Sequence, residues 1–248
     1  MTIQSSSDIE IMRQGGKLLA DVLDLLVANA HVGVSPSELD NLAKKYVESH
    51  GARPAFLGFG GFPASVCVSR DAQVVHGIPT NEPFKAGELV GFDFGVLYKG
   101  FYTDAARSIC IDGCKTKTAK KILSVVEQSF YEGMKKVRDG AYVGDIGNAV
   151  QTFVEAQGFS VIRALVGHGV GRELHADPKV PNFGLPKTGA QLHAGMTIAV
   201  EPMIAAGKYH VITEKDGWAV RMADNSLSAH FEHTIAVTKN GYDILTKN

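Results

Sequence analysis

An internal repeat constrains this chain more than any other feature. The segment HVGVSPSELDNLAKKYVESHGA (31–52) aligns without a gap on RDGAYVGDIGNAVQTFVEAQGF (138–159). Gly33 falls on Gly140, Glu38 on Asp145, Leu39 on Ile146, Asn41 on Asn148, Tyr46 on Phe153, Val47 on Val154, Glu48 on Glu155 and Gly51 on Gly158. Amphipathic periodicity accounts for the apolar matches, but not for the glycines or for Asn41/Asn148. The copies lie too far apart for a solenoid. Two copies in one chain instead imply two α/β halves, about 8–112 and 113–245, around a pseudo-twofold axis with a cleft between them. We read residues 1–248 as one domain.

The order of elements agrees. A first helix starts near Ser7, with Ile9, Met12, Leu19, Leu23 and Leu26 at helical spacing. A second starts at SPSE, with Ser35 as cap, Pro36 in the first turn and Glu38 three residues after the cap, and stops at Gly51. SVCVS, LVGFDFGVL and YTDAARSICI read as strands. Helices follow over 118–136 and 143–157. FSVIRALV, MTIAVEPMI, WAVRM and HFEHTIAVT then read as strands again.

Composition excludes several classes. With a formal net charge of −1, the chain has no overall pull toward DNA or an anionic membrane. No apolar run reaches about 18 residues, the length of a membrane span. The three cysteines (Cys67, Cys110, Cys114) are odd in number and form no CxxC, so neither a disulfide framework nor a zinc knuckle is expected. Reduced thiols and a start without a basic-then-apolar segment point to the cytoplasm. One basic run, KTKTAKK (115–121), reads as a solvated helix start, with a docking patch for a large anionic assembly as the alternative.

The chemistry begins with two acids in GFDFGVLYKGFYTDAARS (91–108). Alternation puts Val90, Phe92, Phe94 and Val96 on one face and Gly91, Asp93 and Gly95 on the other. A turn centred between Tyr98 and Lys99 sets Asp93 directly opposite Asp104. Like charges so placed repel, and burial raises the cost, so a shared proton, an arginine or a dication must offset it. Arg107 points the wrong way by parity, and the flanking glycines leave space for a ligand. His168 in LVGHGVGRELH, Glu201 in MTIAVEPMI and Glu232 in AHFEHTIAVT also stand in apolar or glycine-rich strand contexts. Four carboxylates and one imidazole suit Mn²⁺, Fe²⁺, Co²⁺ or Zn²⁺. Such a set could neutralise two dications, which when about 3.5–4 Å apart activate a hydrolytic water. GHGVG is no nucleotide loop, because Arg172 stands at the third glycine position and no βαβ unit surrounds it.

The pieces VVHGIP, FDFGVLYKGFYTDAARS, GHGVGRELH, VEPM and FEHTIAV, in this order and spacing, resemble the bacterial-type methionine aminopeptidases, type I. The resemblance runs from about residue 8 to 244. It implies the pita-bread α/β fold, two pseudo-twofold-related halves around a curved antiparallel sheet. Carried over position by position, it implies that Asp93 chelates one of two metals and that Asp104 and Glu232 bridge both. His168 and Glu201 complete the other. Glu201 would relay a proton, His175 would steady the carbonyl oxygen, and His76 would contact the nitrogen of the cleaved bond. The substrate's first side chain would enter a pocket of Phe56, Phe59, Phe62, Cys67, Leu174 and Trp218. Phe56 stands where the family often has cysteine, Leu174 where many bacterial members have phenylalanine, and Gly91 where an asparagine is common. The implied activity is removal of initiator methionine from nascent chains with a small second residue, by a cytoplasmic monomer near the ribosome. Proline-specific peptidases share the five-ligand pattern but usually carry an extra N-terminal domain. A non-catalytic member that binds peptides or RNA would have lost ligands, and all five are present.

Overall fold

The computed structural model describes residues 3–248. Its helices are α1 (Ser6–Asn29), α2 (Pro36–Ser49), α3 (Lys117–Met134) and α4 (Val143–Ala156). At the starts of α1, α2 and α3 a hydroxyl of the cap residue accepts from a free amide of the first turn. Ser35 Oγ accepts from the Glu38 N–H (3.3 Å) while the Glu38 carboxylate accepts from the Ser35 N–H (2.7 Å). The Thr116 hydroxyl accepts from the Ala119 N–H (3.0 Å) at the start of α3, and the basic run around it is solvent-facing. The repeat shows in matching details. Asp145, aligned with Glu38, accepts from the Tyr142 N–H (2.9 Å) at the start of α4, and Gly51 and Gly158 both follow their helices in left-handed conformation. The matched asparagines differ: Asn41 donates to the Ser37 carbonyl on its own helix, whereas Asn148 donates to Gly184.

The main sheet has nine strands, and every pairing in it is antiparallel. Its central order is Leu89–Tyr98, Phe101–Cys110, Glu232–Val237, Thr197–Val200, Gly167–Gly169. Val90, Phe92, Phe94 and Val96 are fully buried and pack under α1 and α2, the face that alternation assigned. Ile198, Val200 and Ile235 pack under α3 and α4 in a second cluster. Burying each such side chain stabilises the fold by about 1.5–3 kcal/mol. Each half thus has its own helix pair and core, and the sheet joins them.

Four expectations change. The hairpin closes as Tyr98 opposite Phe101, so Asp93 faces Ala106 and Asp104 faces Gly95. The turn residues are Lys99 (φ 48°) and Gly100 (φ 83°), a pair of left-handed positions that matches the twist of a two-residue hairpin. The acids are therefore diagonal neighbours on one face rather than direct partners. The space beside Gly95 is taken by protein, since a Cβ there would sit 2.8 Å from Ala55 and Phe56. Only Ser160–Val161 of FSVIRALV is strand, and the chain then leaves its sheet. Finally, Cys110 and Cys114 are disulfide-bonded, their Cα atoms 5.1 Å apart across the tight turn at Asp112 and Gly113, while Cys67 is free and buried. No helix of the described residues is long and apolar enough to cross a membrane.

Candidate metal centre and substrate cleft

Five neighbouring strands of the main sheet each deliver one of the five predicted ligands. Asp93 and Asp104 lie within Leu89–Tyr98 and Phe101–Cys110, and Glu232 begins Glu232–Val237. Glu201 lies one residue past Thr197–Val200, and His168 is the middle of Gly167–Gly169. Local sequence explains two of these placements. Pro202 has no N–H, so the ladder cannot continue through it, and Glu201 is left at the strand end with its side chain free to turn inward. The glycines around His168 let the strand pass between two others: a Cβ at Gly167 would collide with the Ala199 carbonyl, and one at Gly169 with that of Asp177.

The side chains converge. His168 Nε2 is 3.6 Å from Glu201 Oε1 and 3.8 Å from Asp104 Oδ2. Donor atoms of His168, Glu201 and Glu232 lie within 4.8 Å of one another, and so do those of Asp104, His168 and His175. His168 Nδ1 is 2.9 Å from the Gly169 carbonyl, which fixes a proton there and leaves the Nε2 lone pair facing the acids. The Thr234 hydroxyl donates to the Asp104 carbonyl and accepts from its N–H, both at 2.8 Å, tying the halves together behind the site. Asn182 holds the Glu201 backbone carbonyl (2.8 Å).

Electrostatically the cluster is uncompensated. Burial pushes Asp93 up to about 7. Asp104, Glu201 and Glu232 are raised well above the usual carboxylate range by burial first and by the charge of neighbouring acids second, Asp93 acting on all three. Burial lowers His168 to about 4, with His175 adding repulsion. No Lys or Arg among the described residues pairs with any of the four acids, and Arg107 is bound to Asp24 (2.7 Å). Asp93 Oδ1, Asp104 Oδ1 and Glu232 Oε1 are buried without a hydrogen-bond partner. Buried oxygens of this kind are destabilising unless a cation takes them up. Hard oxygen donors with one oriented imidazole fit a divalent metal.

The cluster forms the floor of a cavity of about 650 Å³. Phe56, Phe59, Phe62, Cys67 and Trp218 line it, as do His76 and His175. Phe62 and Trp218 meet edge to face with centroids 5.2 Å apart, and Phe59 does the same with His175 at 5.1 Å. Leu174 does not line it, because it is 3% exposed and packs behind the wall against Phe56, Phe62 and Cys67. His76 adopts a left-handed conformation (φ 59°), uncommon for a residue with a side chain and frequent at functional positions. Sequence reasoning missed Val75, Leu165 and Met203 in the wall, and His230, which is buried beside Asp93 and Glu232. His230 could have been found, since it stands two residues before Glu232 and shares its face by alternation.

Comparison with known proteins places the whole assembly. Residues 10–239 match metallopeptidase family M24. A Clostridium perfringens protein named methionine aminopeptidase is 45% identical over 244 residues, 98% of each chain. The crystal structure of a methionine aminopeptidase from Thermotoga maritima superimposes with a TM-score of 0.98 at 40% identity, covering 100% of both chains. The prolidase from Pyrococcus furiosus shares the pita-bread fold alone, with a TM-score of 0.81 at 20% identity over 99% of this chain and 65% of its own. The chain belongs to the methionine aminopeptidases of metallopeptidase family M24.

Proposed function

We propose that this chain hydrolyses the first peptide bond of nascent polypeptides that begin with methionine followed by a small residue. The observation that carries this is the convergence of five donor side chains from five adjacent strands, with partnerless buried oxygens and no paired cation, at the foot of an aromatic cavity. Two divalent ions would be held by Asp93, Asp104, His168, Glu201 and Glu232, with Asp104 and Glu232 shared. When bound, such ions polarise the scissile carbonyl and make water a nucleophile near neutral pH.

The rest is done by the chain's own groups. Burial and the charge of Asp93 favour the protonated form of Glu201, and bound cations would favour its carboxylate; as the carboxylate it would take the proton from the attacking water and return it to the leaving amine nitrogen. Water thus adds across the C–N bond, hydroxyl to carbon and hydrogen to nitrogen. Burial keeps His175 and His76 neutral at pH 7, so each can offer an N–H. His175 donates to the carbonyl oxygen as negative charge builds on it, and His76 faces the scissile nitrogen. The methionine side chain lies against Phe56, Phe59, Phe62, Cys67 and Trp218, where a flexible thioether gains dispersion and sulfur–aromatic contacts.

The test is turnover of Met-Ala-Ser beside an X-Pro dipeptide, with Mn²⁺ or Co²⁺ supplied. Preferential cleavage of the tripeptide supports the reading, and preferential cleavage of X-Pro would replace it with a proline-specific peptidase. We further propose a cytoplasmic monomer that meets its substrates at the ribosome, with the solvated run 115–121 as the docking segment. Charge-reversed lysines in that run should weaken co-sedimentation with ribosomes and leave tripeptide turnover intact; unchanged co-sedimentation would remove the run from this role.

A further inference from the structure

His230 has no part in the five-residue centre, yet its ring is built into it. The residue is 3% exposed, and its Nε2 has no hydrogen-bond partner. A ring nitrogen buried this way is destabilising unless something occupies it. Nε2 lies 3.8 Å from Glu201 Oε2 and 3.7 Å from Glu232 Oε2. These distances are too long for hydrogen bonds. They match the 3.6 Å and 3.8 Å separating His168 Nε2 from the oxygens of Glu201 and Asp104. Donors each about 2.0–2.2 Å from a shared ion lie no more than about 4.4 Å apart, so both imidazoles are spaced as co-ligands.

A second triad follows. Donor atoms of Asp93, His230 and Glu232 all lie within 4.8 Å of one another, and the cluster of His168, Glu201 and Glu232 shares its glutamate with them. Two of the partnerless oxygens, Asp93 Oδ1 and Glu232 Oε1, belong to this triad. The backbone that presents the ring is clamped. The Ser108 hydroxyl donates to the His230 carbonyl (2.8 Å) and accepts from the His230 N–H (3.0 Å). Ser108 faces Gly91 on the next strand, and a Cβ at residue 91 would be built 3.4 Å from that hydroxyl.

We propose that His230 is a sixth ligand of the metal centre, supplying nitrogen to the ion held by Asp93, so that each ion carries one imidazole. Nitrogen in place of an all-oxygen set favours Zn²⁺, Co²⁺ and Fe²⁺ over Mn²⁺ at that position. This rests on the reading of the centre given above. The test is zinc K-edge absorption of the full-length protein loaded with two equivalents of Zn²⁺, counting imidazoles by their multiple scattering. The expected count is two per dizinc centre, falling to one in His230→Gln, with Zn²⁺ affinity at that position reduced at least about tenfold. In His175→Gln the count should stay at two, which keeps the assignment testable if His230→Gln does not fold. A wild-type count of one, or a count of two that survives His230→Gln, would overturn the inference while leaving the five-residue centre standing. A wild-type protein that binds no zinc would instead refute the centre itself.

Discussion

Removing the metals should expose the cost of burying Asp93, and pH is the way to read it. In the metal-free fold its carboxyl is pushed by burial from 3.8 to about 7. A group whose folded pKa exceeds its unfolded one binds protons more tightly in the folded state. Its stabilising contribution is complete below about pH 4, declines as pH rises, and is gone above about pH 7. Between pH 5 and pH 7, at about 1.4 kcal/mol per pH unit, Asp93 alone accounts for a loss of about 3 kcal/mol. The histidines run the other way: burial lowers His168 to about 4 and His230 to about 3, so their contribution grows as pH climbs to 6.5. The total slope therefore mixes opposing groups, and the comparison with Asp93→Asn removes the titration of Asp93 together with its repulsion of Asp104, Glu201 and Glu232. Urea unfolding of chelator-treated protein at pH 5 and pH 8 is the assay. Metal-free wild type should lose about 3 kcal/mol relative to metal-free Asp93→Asn over that range. Metal-loaded wild type should not show this loss, because a dication favours the ionised carboxylate. If the two metal-free proteins change in parallel with pH, Asp93 is not the uncompensated buried acid described here.

Three further outcomes follow from the same geometry. Asp104→Ala and His168→Ala should each cut Met-Ala-Ser turnover by at least ~100-fold and lower bound metal on elemental analysis; substantial residual activity would remove that residue from the centre. Thr234→Val keeps shape but removes both hydrogen bonds to the Asp104 backbone. It should cost about 1–3 kcal/mol in thermal or urea unfolding, with Thr234→Ser restoring most of it. Trp218→Ala loses its edge-to-face contact with Phe62 and one wall of the cavity. An aromatic contact of about 0.5–1.5 kcal/mol implies a ~2- to 12-fold drop in kcat/KM, carried by KM; a pure kcat effect would place Trp218 elsewhere in the reaction.

The five candidate ligands were legible because each is an acid or a histidine in a strand whose neighbours are apolar or glycine. Such a context has few uses for a charge. The helix starts were equally plain, since Ser35, Pro36 and Glu38 state a cap, a first turn and its reciprocal acid in four letters. The hairpin register was misjudged although its signal was present. Glycine belongs at a left-handed turn position, and Lys99-Gly100 supplies one where Tyr98-Lys99 does not. His230 goes unread although HFEHTIAVT reads as one strand in which it shares a face with Glu232; in the fold that strand breaks at Phe231, with residues 228–230 in a small three-stranded sheet and Glu232 opening the main one. Leu174 is expected in the pocket from its matching position in the family pattern, yet its side chain turns into the cluster behind the wall. The pairing of Cys110 with Cys114 depends on the tightness of the turn between them, which a cysteine count does not encode.

The central claim is that divalent cations hold these acids together across the two halves of the chain. Anomalous diffraction from crystals of the full-length protein grown with Co²⁺ tests it most directly. The expected map has strong peaks within about 2.0–2.2 Å of oxygens from both Asp104 and Glu232, with His168 Nε2 at a similar distance from one of them. Crystals that take up cobalt elsewhere, and leave Asp93, Asp104, His168, Glu201 and Glu232 clustered with no peak among them, would contradict it.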